Sequence, residues 1–153
     1  MLKREESAGY MTNWAARLFA RRIERSLKPL GLSPAYLPVF FALADGSALS
    51  QKELTRRAAV EQPTMAATLS RMERDGLIVR KPVPADKRST LFSLKPQARK
   101  AVEGVTSAVM ANNTEVLAVL SEKERALYLD LVTRIVQRML ELETRDNLAD
   151  QSA

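Results

Sequence analysis

Two neighbouring stretches hold the residues able to do chemistry. RKPVPADKRSTLFSL, residues 80–94, sets Arg80, Lys81, Lys87 and Arg88 against one acid, Asp86. Just before it, EQPTMAATLSRMERDGL, residues 61–77, supplies the amide of Gln62, the hydroxyls of Thr64 and Thr68, the small Ala67, and Arg71 and Arg74. Clustered cations neutralise phosphates, and short hydroxyl and amide side chains bond the edges of bases. Other chemistries are largely closed. The chain has no cysteine and no histidine. Disulfides, thiol nucleophiles, thiol redox sensing, the usual zinc ligands and the commonest acid–base side chain are therefore absent. No carboxylate pair is marked by motif or spacing, so no catalytic residue, metal or cofactor is expected, and an enzyme has no support.

Charge is distributed to match. Residues 1–49 carry seven Lys/Arg and four Asp/Glu, residues 50–100 twelve and five, and residues 101–153 five and nine. The net charge of +6 thus arises from a middle third at +7 and a final third at −4. A basic middle between less basic ends points to a polyanionic partner. At 46% apolar and 27% charged, 153 residues suit one globular domain. No apolar run approaches the ~20 residues that cross a bilayer. MLKREESAGY has no apolar segment after its charges, so no secretory leader is expected and the reading is cytoplasmic.

The elements that must position these residues follow from periodicity and punctuation. Residues 8–28 place Ala16, Phe19, Ala20, Ile23 and Leu27 on one helical face, with Tyr10, Met11, Trp14 and Leu18 around the N-terminal half. Pro29 and Gly31 end that helix. Ser33-Pro34 opens a second helix, with Leu37, Phe40, Phe41 and Ala44 as its stripe and Gly46 as its stop. Ser50 and Glu53 form a capping box for a short helix to about Ala58. Pro63 and Gly76 bound the next helix, in which Met65, Leu69 and Met72 form the buried stripe and Thr64, Ala67, Thr68 and Arg71 the outer face. Two β-like runs, Leu77–Arg80 and Thr90–Leu94, follow as a hairpin whose prolines suit an edge or loop. A long helix runs from about Pro96 to Leu117, with Ala98, Ala101, Val102, Val105, Ala108, Val109 and Asn112 in phase. A second capping box, Ser121 and Glu124, opens a last helix to about Arg145, striped by Leu127, Leu131, Val132, Ile135, Met139 and Leu142. The flanking helices carry more apolar surface than residues 33–94 can cover, which points to a second copy of the chain.

Helix, short turn and helix form a helix-turn-helix, with Ser50–Ala58 first and Gln62–Asp75 as recognition helix. Such a helix, ~10–12 Å across, fits a major groove ~12 Å wide. Gln62 suits adenine, the threonines several bases, and Arg71 guanine or phosphate. The hairpin then projects as a wing. Arg88 suits the adjacent minor groove, Lys81 and Lys87 suit phosphates, and Asp86 steers the tip.

These residues carry a resemblance. The run from Leu49 to Arg88 resembles the MarR family of bacterial winged-helix transcription regulators, through Pro63-Thr64, the run MERDGLIVR at residues 72–80 and Asp86-Lys87-Arg88. The order of elements matches over the whole chain. After the wing the family's usual Leu-Thr-x-x-Gly is replaced by Leu94-Lys95-Pro96-Gln97-Ala98, so the next helix starts differently. The resemblance implies a mainly α fold: a single winged helix-turn-helix domain spanning 1–153, with its DNA-binding region at 33–94 and dimerisation helices at 8–30 and 96–145. It implies a homodimer on double-stranded DNA at a pseudo-palindromic operator, usually a repressor, with two recognition helices about 34 Å apart. Ser50, Lys52, Gln62, Pro63, Thr64, Ala67, Thr68, Arg71, Arg74, Lys81, Asp86, Lys87 and Arg88 are the DNA-binding candidates. A small aromatic or anionic effector is also implied, with Trp14, Arg17, Tyr36 and Phe40 as candidates for stacking and charge. The family's cysteine-based peroxide sensing is excluded by composition. The alternative is a winged helix that docks a protein and binds no DNA. It should expose apolar anchors where this chain has Thr64, Thr68, Arg71 and Arg88.

Overall fold

Proline, glycine and serine punctuate the first half of the chain, and the elements follow them. The computed structural model describes the backbone of residues 3–83 and 86–150, with the side chains at positions 83, 86–89, 148 and 150 outside the description. Helix α1 spans Ala8–Leu27, its start capped by the Ser7 hydroxyl, which accepts from the Tyr10 amide at 3.3 Å. A 3-10 turn, Lys28–Leu30, carries Pro29 and stops at Gly31, whose φ of +66° suits a residue without Cβ.

Ser33 caps a second 3-10 turn, Pro34–Tyr36, which leads into α2, Leu37–Leu43. The buried residues are Tyr36, Val39, Phe40 and Leu43, at i, i+3, i+4 and i+7, and Phe41 is 64% exposed. The expected stripe of Leu37, Phe40, Phe41 and Ala44 is therefore corrected by about one residue.

Helix α3, Gln51–Ala58, opens on the expected capping box: the Glu53 amide donates to Ser50 Oγ at 3.3 Å and the Ser50 amide to Glu53 Oε2 at 2.8 Å. The turn to α4, Gln62–Arg74, is three residues long and begins at Ala59 with φ +49°, a left-handed value that costs a residue with Cβ roughly 1–2 kcal/mol. At its other end α4 closes in a Schellman arrangement. Leu77 N donates to Met72 O at 2.9 Å and Gly76 N to Glu73 O at 3.0 Å, with Gly76 at φ +74°.

Strands β2, Ile78–Val83, and β3, Asp86–Leu94, form the hairpin. A two-residue strand absent from the sequence reading, β1 at Leu49–Ser50, pairs with the other edge of β3, Leu49 opposite Phe92 and Ser50 opposite Leu91. The sheet order is β1-β3-β2, all antiparallel, so Pro82 lies on an outer strand where a missing amide is tolerated. The departure after the wing is seen as a 3-10 turn, Pro96–Ala98, without a side-chain cap, before α5, Arg99–Val116.

The chain divides into two compact units, Met1–Asn112 and Asn113–Ala153. The first holds the core: Ile23 and Leu27 of α1, Val39, Phe40 and Leu43 of α2, Leu54 of α3, Met65, Leu69 and Met72 of α4, Ile78 and Phe92 of the sheet, and Val105 of α5. Asn112, on the expected apolar phase of α5, is buried and accepts from Arg22 Nε at 2.9 Å. The second unit holds a 3-10 turn, Leu117–Val119, and α6, Glu122–Asp150, opened by the expected Ser121–Glu124 box, in which the Ser121 amide donates to Glu124 Oε2 at 2.8 Å. Leu127, Leu131, Ile135 and Met139 are exposed along α6. Among the described residues no helix is long and apolar enough to cross a membrane.

Candidate nucleic-acid interface

Helix α4 has two chemically distinct sides. Met65, Leu69 and Met72 lock it into the core, while Gln62, Pro63, Thr64, Ala67, Ser70, Arg71 and Arg74 are exposed. Thr68 does not belong to the outer face. It is 4% exposed and falls with Met65, Leu69 and Met72 at i, i+3, i+4 and i+7, on the buried side of the helix. Its hydroxyl lies 3.5 Å from Arg71 Nη2. Ser70 replaces it on the outer face. The sequence reading missed Ser70, although 63, 67, 70 and 74 repeat at helical spacing.

The other candidates are placed unevenly. Ser50 is spent on its capping box, its hydroxyl 2.7 Å from Glu53 Oε2, which leaves it a structural cap. Lys52 is exposed in the first turn of α3, with Arg56 and Arg57 exposed further along it. Gln62 accepts from Gln51 Nε2 at 3.1 Å, joining the two helices of the motif at their N-terminal turns. Glu61, the residue before α4, makes no side-chain cap, so the first amides of α4 keep their affinity for an anion. Arg71 folds back on its own helix, Nε donating to Ala67 O at 3.3 Å. Lys81 is exposed on β2. The side chains of Asp86, Lys87 and Arg88 lie outside the described residues.

The C-terminal turn of α4 is heavily tied. Tyr36, buried at the head of α2, donates its hydroxyl to Asp75 Oδ2 at 2.6 Å, and Arg74 Nε reaches Asp75 Oδ1 at 3.0 Å. The Tyr36 hydroxyl, then Arg74, hold the Asp75 carboxyl below its ordinary range; burial, then Asp75, raises the Tyr36 phenol. Gln97 Nε2 donates to Gly76 O at 3.2 Å and the Lys95 amide to Leu77 O at 2.9 Å, bringing the start of α5 to the same corner.

The effector candidates do not gather into one site. Tyr36 and Phe40 are core residues, 3% and 2% exposed, edge to face at 6.4 Å, away from the exposed surface where Arg17 stands. Trp14 is half-buried, with Tyr10 edge-on at 6.2 Å and the Arg4 guanidinium 4.9 Å from its centroid, and Arg17 is exposed. A cleft of about 500 Å³ between the end of α2 and the start of α5 is lined instead by Leu43, Asp45, Leu94, Lys95, Arg99 and Val102, among others.

Residues 30–89, from the turn before α2 through the wing, match the model of the MarR family. Over this segment the chain is similar to the MarR family. That match supports a DNA-binding transcriptional regulator over an enzyme. Similarity to known proteins extends past the matched segment. The chain is 28% identical over 129 residues to the uncharacterized HTH-type transcriptional regulator YwoH of Bacillus subtilis (strain 168), covering 84% of this chain and 93% of that one. Its fold is similar to that of the transcriptional repressor CouR bound to a 23-mer DNA duplex, with a TM-score of 0.80 at 24% identity over 89% of this chain and 99% of that one. It is equally similar to BpsR of Bordetella bronchiseptica, whose DNA binding is regulated by 6-hydroxynicotinic acid, with a TM-score of 0.81 at 22% identity over 89% and 97%.

Proposed function

We propose that the chain is a cytoplasmic homodimeric repressor of one MarR-like domain per copy, seated on a pseudo-palindromic operator. The observation that carries this reading is the outer face of α4, where small polar and cationic side chains are exposed and no large apolar residue is. Thr64, Ala67 and Ser70 leave room for base edges, Pro63 lets the first turn approach closely, and Gln62 and Arg71 supply amide and guanidinium donors. Arg74, Lys52, Lys81 and Lys87 contact phosphates, and Arg88 enters the minor groove beside the wing, steered by Asp86. The apolar row exposed on α6 supports pairing with a second copy, since an exposed stripe of that length is costly in water.

Release by a small aromatic or anionic ligand completes the reading. It is supported by the regulation of BpsR, whose fold is similar, and by Trp14 and Arg17, which stand on α1 outside the core. Such a ligand must bind the arrangement that does not fit DNA more tightly than the one that does.

Titration of the purified protein against the duplex upstream of its own reading frame, beside a scrambled duplex, tests the proposal. Preference for the native duplex by ~10³-fold or more is expected, with log K falling by about 0.9 per phosphate contact for each decade of salt. Equal binding to both duplexes would reduce the protein to a general nucleic-acid binder.

A further inference from the structure

Arg80 belongs by composition with the hairpin cations, yet the structure gives it a different task. It stands on β2 opposite Phe92 of β3 and on the same face of the strand as the fully buried Ile78, so it lies along the core-facing side of the sheet. Its guanidinium turns back across the α4–β2 turn to Glu73, in the last turn of α4, with Nε 2.9 Å from Oε1 and 3.0 Å from Oε2 and Nη2 also on Oε2. It also sits 5.9 Å from the centroid of the Phe92 ring. A planar fork held at two oxygens and against an aromatic ring fixes orientation as well as charge, which an ammonium does not. Tyr36 and Gln97 hold the neighbouring residues Asp75 and Gly76, so the helix end that Arg80 grips is itself anchored.

We propose that Glu73 and Arg80 are positioning residues that lock the wing to the recognition helix, so that both elements meet the duplex at a preset angle, and that Arg80 is not itself a phosphate contact. The proposal rests on the DNA-binding reading above. It makes the two partners behave oppositely to a reading in which Glu73 merely masks a DNA-contacting cation. Under masking, Glu73→Gln frees Arg80 and tightens DNA binding, and Arg80→Lys, which keeps the charge, changes little. Under positioning, both substitutions loosen the wing and weaken binding.

The test uses the full-length protein with an operator duplex, read by titration and hydroxyl-radical footprinting, together with amide hydrogen exchange of the free protein. In Glu73→Gln and in Arg80→Lys, the affinity is expected to fall about fivefold, the scale of a well-formed ion pair. Minor-groove protection beside the wing should be lost while protection under α4 remains, and amides of β2 and β3 should exchange faster with no change in those of α2. Glu73→Arg combined with Arg80→Glu should recover part of the loss. Glu73→Gln that binds as tightly as the parent or tighter, unchanged wing protection, or unchanged exchange in β2 and β3 would overturn the lock and leave the DNA-binding reading standing. A parent protein that binds no duplex at low salt would overturn both.

Discussion

Helices α4 and α6 make an instructive pair. Both carry an apolar stripe at helical spacing, but the chain disposes of the two stripes differently. On α4, Met65, Leu69 and Met72 are each at most 2% exposed, and what remains outward is small, polar and cationic. On α6, Leu127, Leu131, Ile135 and Met139 are all more than 40% exposed. A helix whose apolar side is satisfied within its own fold presents chemistry suited to a polyanion. One whose apolar side is left in water presents a surface suited to another apolar surface. Function here follows from which side of each helix the fold leaves unsatisfied.

The largest test of this contrast lies on α6. Leu131→Asp with Ile135→Asp should leave a folded monomer whose operator affinity is lower by at least about a hundredfold, because one recognition helix must then hold the site alone. Sedimentation velocity and DNA titration report the two halves of that statement, and a monomer that kept its affinity would break the link between α6 and DNA. On the buried side of α4, Met72→Ala should cost about 2–5 kcal/mol in urea unfolding, since the side chain is fully enclosed. On its outer side, Arg71→Ala should weaken operator binding by about 1–3 kcal/mol while stability shifts by less than about 0.5 kcal/mol. A matching loss of stability would move Arg71 into the scaffold. Thr68→Val sharpens the boundary between the two sides: about 1 kcal/mol in stability and no change in base preference are expected of a buried hydroxyl. Altered base preference in a selection from randomised duplexes would return Thr68 to the interface.

The smallest effect is that of pH. Ser50 holds Glu53, Arg80 holds Glu73, and Tyr36 with Arg74 holds Asp75 below the ordinary carboxylate range. A carboxyl with a depressed pKa contributes stability that is present above its unfolded value and is lost as pH falls through the folded one. Acidification from neutral through the carboxylate range should therefore lower Tm, modestly because these groups are solvated. A smaller fall of Tm in Glu73→Gln than in the parent would assign part of the loss to the wing pairing, with Glu53 and Asp75 supplying the rest.

Much of the fold was legible because its signals are local. Both capping boxes, Pro63 and Gly76, and the element order are read within a few residues of where they act. What escaped was set by distance. Strand β1 is two residues long, too short to show alternation, and exists only because Leu49 and Ser50 find β3 some forty residues on. The Tyr36–Asp75 bond spans 39 residues, and with Tyr36 buried in the core it ties that ring to the end of α4. The phase of α2 is ambiguous in the sequence because apolar residues fill both candidate stripes, 36/39/40/43 and 37/40/41/44, and only packing against the core chooses the first. Thr68 was misplaced for a narrower reason. It sits at the margin of the buried stripe, where a helical wheel gives an angle but not the reach of the neighbouring core.

Ala59, the left-handed residue between α3 and α4, carries a consequence for engineering. Glycine at that position would relieve a strain of roughly 1–2 kcal/mol while returning about 0.4–1 kcal/mol of freedom to the unfolded chain. The net is a small gain in stability from removing a single methyl group. The turn therefore holds unspent thermostability at the hinge between the motif's two helices. A thermostable variant of this regulator could begin at Ala59 without altering any of the candidate DNA contacts.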